Sequence, residues 1–151
     1  MATSKILYMK DCGTAYHGKH LKVALDYIMD RDKTQDGRLV AGINCLPDMA
    51  YEQMKQTKKE FGKIDKRQAY HLIISFPEGE ADADTVFELT GRFVKEYLGD
   101  RYEAVYAVHD NTAHIHAHIV FNNISISPFS CNQYFFFILW KFAIKPVYNI
   151  F

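Results

Sequence analysis

The segment His109-Asp-Asn-Thr-Ala-His114-Ile-His116-Ala-His118-Ile-Val-Phe-Asn122 constrains this chain more than any other. It holds four histidines in ten residues, three of them at a spacing of two. Side chains of a strand alternate between faces. His114, His116, His118, Val120 and Asn122 therefore share one face, and Ile115, Ala117, Ile119 and Phe121 share the other. Asp110-Asn111-Thr112 supplies turn residues. A strand over Tyr102–His109 then folds back on His114–Asn122 as a hairpin, and the short loop returns His109 to the other imidazoles. A lone strand histidine is usually plain polar alternation; a cluster at this spacing is better read as a metal site. Three imidazoles on a rigid sheet face leave coordination positions open, as a catalytic metal requires. Imidazole suits Zn, Mn, Co or Ni better than Mg.

The rest of the chain supplies a scaffold for that hairpin. Residues 5–10 read as a strand. Leu21, Ala24, Leu25 and Ile28 fall at helical spacing. A strand over 38–45 follows the Asp36-Gly37 turn signal, and a helix over Met49–Phe61 stops at Gly62. Tyr70–Phe76 is an apolar strand ended by Pro77. Asp82 or Asp84 caps a helix carrying Val86, Leu89, Phe93, Val94 and Tyr97, which Gly99 ends. The order βαβαβαββ predicts an α/β (α+β) fold. The expected form is a two-layer sandwich, one mostly antiparallel sheet with helices on one face.

Composition narrows the function less. The 151 residues suit one domain, and equal numbers of acids and bases give no global sign of a nucleic-acid partner. That neutrality is a sum of unlike parts: +4 over residues 1–70, −6 over 71–123, +2 over 124–151. Cys12, Cys45 and Cys131 are odd in number and lack C-x-x-C spacing, so reduced thiols in a cytoplasmic protein are the simplest reading. No apolar run follows the N-terminus as a secretory signal would. The longest apolar stretch, Tyr134–Ile144, falls well short of the ~20 residues of a membrane span.

Three segments, in order, resemble the relaxase/mobilisation nuclease family of the HUH (His-hydrophobe-His) endonucleases. They are Leu21-Lys-Val-Ala-Leu-Asp-Tyr27-Ile-Met-Asp-Arg-Asp-Lys33-Thr34, Tyr70-His71-Leu-Ile-Ile-Ser75-Phe76-Pro-Glu-Gly-Glu80, and the histidine segment with Asn122. The resemblance implies an HUH relaxase-like fold. It also implies nicking and rejoining of one strand of single-stranded DNA at a transfer origin, which starts conjugative plasmid or mobile-element transfer. A tyrosine becomes linked to the 5′ phosphate and a divalent metal polarises that phosphate. Mg or Mn is the expected ion in the cell, with Zn, Co or Ni as alternatives. Accessory relaxosome and secretion-coupling proteins are the implied partners.

The resemblance maps the nucleophile onto Tyr27, with Tyr8 and Tyr16 as competitors. The helical wheel agrees, since Tyr27 lies roughly 110° from the centre of the apolar stripe and can show its hydroxyl to a site. The metal maps onto His109, His116 and His118. His114 is an extra histidine that could orient a ligand, contact the DNA or replace a ligand. Asp110 or Asn122 could orient a metal-bound imidazole; Asp110 is the stronger candidate, or else a plain turn residue. His71 and Ser75 share a strand face, and the resemblance implies DNA contact there; a histidine bonded within the fold is the other reading. Lys55, Lys58, Lys59 and Lys63 recur at three and four residues, a solvated face or a row of phosphate contacts.

The resemblance runs over residues 1–123, an incomplete nuclease domain. Residues 124–151 form a divergent tail with nine of the 22 aromatic residues and no clean period. A reading frame interrupted by a frameshift or an inserted element would account for it; a short natural variant with a helix or strand at Phe135–Ile144 would do so too. Interruption would impair activity. The alternatives to a relaxase are an inactive DNA- or metal-binding fragment and a three-His metal-dependent hydrolase.

Overall fold

The computed structural model describes residues 2–10, 19–64 and 67–127. Tyr16, Cys12, Cys131, the Tyr8 side chain and the segment Phe135–Ile144 lie outside the described residues. The elements are β1 (Thr3–Lys10), α1 (Lys19–Ile28), β2 (Val40–Ile43), α2 (Ala50–Glu60), β3 (Arg67–Phe76), α3 (Ala83–Tyr97), β4 (Ala104–His109) and β5 (Ile115–Asn122). One-turn 3-10 helices at Arg31–Lys33 and Pro47–Met49 precede β2 and α2. The order is that expected from hydrophobic spacing. Asp82 caps α3, accepting from the Thr85 backbone N–H at 2.8 Å. Gly99, at φ +51°, takes the left-handed turn that ends it.

The five strands form one sheet in the order β1-β3-β5-β4-β2, every pair antiparallel. The α+β class and the β4–β5 hairpin are as expected. The helices, however, cover both faces instead of one. Val86, Phe93 and Val94 of α3 pack with Leu72, Ile74, Ala104, Val108, Ala117 and Ile119. Leu21, Leu25 and Ile28 of α1 and Ala50 and Met54 of α2 pack on the opposite face, against Ala69, Val105, Ala107 and Val120. The physical reason is that Ala69, Val105, Ala107 and Val120 form an apolar patch on the face that carries the histidines. The histidines interrupt only one end of the second face, so that face also needs a cover.

Candidate active site

Strand pairing sets His109 directly opposite His116, and Ser75 of β3 opposite His116 from the other side. His118 follows two residues along β5, on the same face. The His109 and His118 ring centroids are 4.2 Å apart, and those of His116 and His118 are 6.2 Å apart. β3 adds a fourth imidazole. His71 pairs with Val120 in register and reaches diagonally to His118, where His71 Nε2 and His118 Nδ1 lie 3.0 Å apart.

α1 crosses this end of the sheet. Its inward Leu21, Leu25 and Ile28 are buried, while Tyr27, one residue before the helix ends, is half exposed. The last carbonyls of a helix lack partners within it. The carbonyl of Ile28 finds one in His109, whose Nε2 donates to it at 3.0 Å. A carbonyl can only accept, so Nε2 carries the proton and Nδ1 keeps the lone pair. The bond fixes the end of α1 over the imidazoles. The Tyr27 ring stands edge-on to His109 and His118, with centroids 5.4 and 5.7 Å away and interplanar angles of 73° and 85°. Lys33 Nζ lies over the Tyr27 ring, 4.2 Å from its centroid, and is paired with Asp30 at 3.2 Å.

Burial sets the electrostatics. His71, His109 and His118 are buried. Desolvation and the neighbouring imidazoles bring His118 down to about 3, and His71 to about 4. Burial also lowers His109 and His116, the latter with help from His114. All four rings are therefore neutral near pH 7, the form in which imidazole binds a metal. Among the described residues no three His, Cys, Asp or Glu side chains are already closed around one point. The donor chemistry fits a divalent ion held by His109, His116 and His118, with His71 bonded behind His118.

The other sequence candidates separate from this cluster. His114 is exposed in the hairpin loop, its carbonyl accepting from Thr112 Oγ1 at 2.7 Å. The Asp110 carboxylate accepts from Gln35 Nε2, and its backbone N–H bonds the Lys33 carbonyl at 3.2 Å. It joins the hairpin to the loop after α1, with no bond to an imidazole among the described residues. Asn122 corrects the expectation of a ligand or ligand partner. It shares the histidine face but lies at the far end of β5, fully buried beneath α2. Its Oδ1 accepts from Lys58 Nζ at 2.5 Å, and its Nδ2 donates to Glu103 Oε2 at 2.8 Å. Lys58 is likewise corrected as a phosphate contact, because only 2% of it is exposed. Lys59 and Lys63 remain exposed, and half-buried Lys55 lies over the Tyr51 ring at 5.3 Å. No periodicity singles out Lys33, whose place depends on the turn after α1. Of the two readings of His71, the structure shows the histidine bonded within the fold, to His118, which only the β3–β5 register brings within reach.

Comparison with known proteins points the same way. The family described as "Relaxase: MobA/VirD2-like, nuclease domain" matches residues 27–142. Protein rlx of Staphylococcus aureus is 32% identical over 103 residues, covering 68% of this chain and 30% of the relative. The group II intron-interrupted relaxase LtrB of Lactococcus lactis subsp. cremoris (strain MG1363) is 31% identical, covering 71% of this chain and 24% of the relative. The chain thus spans about a quarter to a third of the length of these curated relatives. Among the described residues no helix is long and apolar enough to cross a membrane.

Proposed function

The chain belongs to the relaxase family with a MobA/VirD2-like nuclease domain, and from that membership we propose that it nicks and rejoins one DNA strand through Tyr27. The observation that carries this reading is the Tyr27 ring set edge-on against His109 and His118. A phenol is a poor nucleophile unless assisted, and a phosphate held at the neighbouring imidazoles would supply that assistance.

In the proposed reaction the Tyr27 oxygen attacks the scissile phosphorus and gives up its proton. A tyrosyl–phosphate bond forms to the 5′ side, the P–O3′ bond breaks, and O3′ leaves as a hydroxyl after taking a proton. The reverse attack by a 3′ hydroxyl rejoins the strand. His109, His116 and His118 would hold a divalent ion, which supplies charge stabilisation at the phosphate when bound. His71 orients His118 through the ring-nitrogen bond. The Ile28 carbonyl orients His109 and ties the nucleophile's helix to the same strand. Ser75, opposite His116, and exposed Lys59 and Lys63 are the side chains we assign to the DNA. The substrate is taken to be single-stranded DNA at a transfer origin, with relaxosome and secretion-coupling proteins as partners in the cytoplasm.

The assay is covalent capture. The protein is mixed with single-stranded oligonucleotides carrying an origin sequence, with Mg, Mn or Zn, and resolved under denaturing conditions. An adduct that disappears in Tyr27→Phe is expected. Cleavage without an adduct would instead identify a metal-dependent hydrolase, and metal binding without cleavage an inactive fragment.

A further inference from the structure

We propose that Lys33 is a positioning residue that holds the Tyr27 ring against the imidazoles. The inference rests on the reading of Tyr27 as nucleophile. Tyr27 is 47% exposed, so core packing does not select its side-chain conformation. The His109 and His118 rings meet it in near-perpendicular, edge-type contacts, and the Lys33 ammonium lies over its face at 4.2 Å. A cation over an aromatic face is attracted by the ring quadrupole, more strongly where solvent is partly excluded. The Lys33 side chain is only 26% exposed.

Lys33 is itself well placed to act as a clamp. Its ammonium is paired with Asp30 at 3.2 Å. Asp30 also caps the 3-10 turn that carries Lys33, its carboxylate accepting from the Asp32 N–H at 3.1 Å. The Lys33 carbonyl accepts from the N–H of Asp110, next to His109. The residue over the nucleophile's ring is thus fixed to the strand that supplies an imidazole. Reacting groups must sit within a narrow geometry, and small displacements slow a reaction strongly. A flexible cation on an ordinary surface would have no such double anchorage.

Two readouts test this. The first is the single-turnover rate of adduct formation at saturating oligonucleotide, measured with the DNA Kd, for wild type, Lys33→Met and Lys33→Arg. The second is 19F NMR of protein carrying 3-fluorotyrosine, with the Tyr27 resonance identified by its loss in Tyr27→Phe. Lys33→Met is expected to slow the rate about tenfold, equivalent to about 1.4 kcal/mol, with the Kd unchanged. The Tyr27 resonance should move toward that of a freely rotating tyrosine. Arginine, which also stacks on aromatic faces, should restore both. A weakened Kd with an unchanged saturating rate would make Lys33 a phosphate contact and overturn the proposal. An unmoved Tyr27 resonance in Lys33→Met would also overturn it. If wild type forms no adduct but the resonance moves as expected, the nucleophile reading fails and the clamp stands.

Discussion

Replacing Asn122 by Ala should destabilise the fold without touching the imidazole cluster. Asn122 sits between a buried lysine and a buried glutamate, and its amide bonds Lys58, Glu103 and the Met54 carbonyl, the last at 3.3 Å. Alanine leaves all three without this partner. Burial brings Lys58 down to about 8, so at pH 7 it can shed its proton for about 1 kcal/mol, which caps its share of the loss. The Glu103 carboxylate loses a charged hydrogen bond, about 1.5–3 kcal/mol, and the longer bond to Met54 adds roughly 0.5 kcal/mol. The sum is about 3–5 kcal/mol, within the usual range for breaking a buried charged cluster. For a chain of this size it lowers Tm by roughly 6–20 °C. Thermal unfolding followed by circular dichroism measures the loss. Titration with Mn2+ at a temperature where the variant is folded measures the site. A loss below about 1 kcal/mol, smaller than one such bond to a charge, would refute the network. Abolished metal affinity in a folded variant would return Asn122 to the active site.

Three further expectations follow from the same geometry. Lys58 ionises at about 8 in the fold and near 10.5 when unfolded, so folding releases its proton between those values and stability rises with pH across that window, by up to about 3 kcal/mol. Chemical denaturation at several pH values should show this rise in the difference between wild type and Lys58→Met. Taking that difference cancels the opposite trend of Cys45, which burial pushes from 9.0 up to about 12. An equal pH dependence in both proteins would contradict the burial of Lys58. His71→Phe keeps a ring but removes the nitrogen bonded to His118, and should weaken Mn2+ binding roughly 10–100-fold by calorimetry; unchanged affinity would place His71 outside the site. Gly42→Ala would set a Cβ 2.4 Å from the Cys45 carbonyl oxygen, forcing the turn after β2 to shift by an overpacking of roughly 1–3 kcal/mol. A denaturation midpoint equal to that of wild type would refute that contact.

The β4–β5 hairpin was legible in the sequence because alternation has a period of two and the turn residues sit between the runs. The facing of His109 toward His116 follows from it. Tyr27 at the edge of the α1 apolar stripe was legible for the same kind of reason. The sheet order was not, since local periodicity carries no information on which strands pair. Only the β3–β5 register brings His71 to His118. The second helical layer had a visible cause in Val105, Ala107 and Val120 beside the histidines, but those residues read as plain alternation until α1 and α2 covered them. Lys58 shows the limit of residue type. Its spacing joins it to half-buried Lys55 and exposed Lys59 and Lys63, and equally to buried Ala50, Met54 and Thr57. Only the distant partners Asn122 and Glu103 show which way it faces.

The central claim is a covalent bond between Tyr27 and DNA. The most direct measurement is mass spectrometry of the proteolysed product of wild-type protein, divalent metal and origin oligonucleotide. One peptide containing Tyr27 is expected to carry the mass of the 5′-phosphorylated fragment, with a free 3′ hydroxyl on the released strand. The same adduct on another tyrosine, or cleavage with no modified peptide, would contradict it.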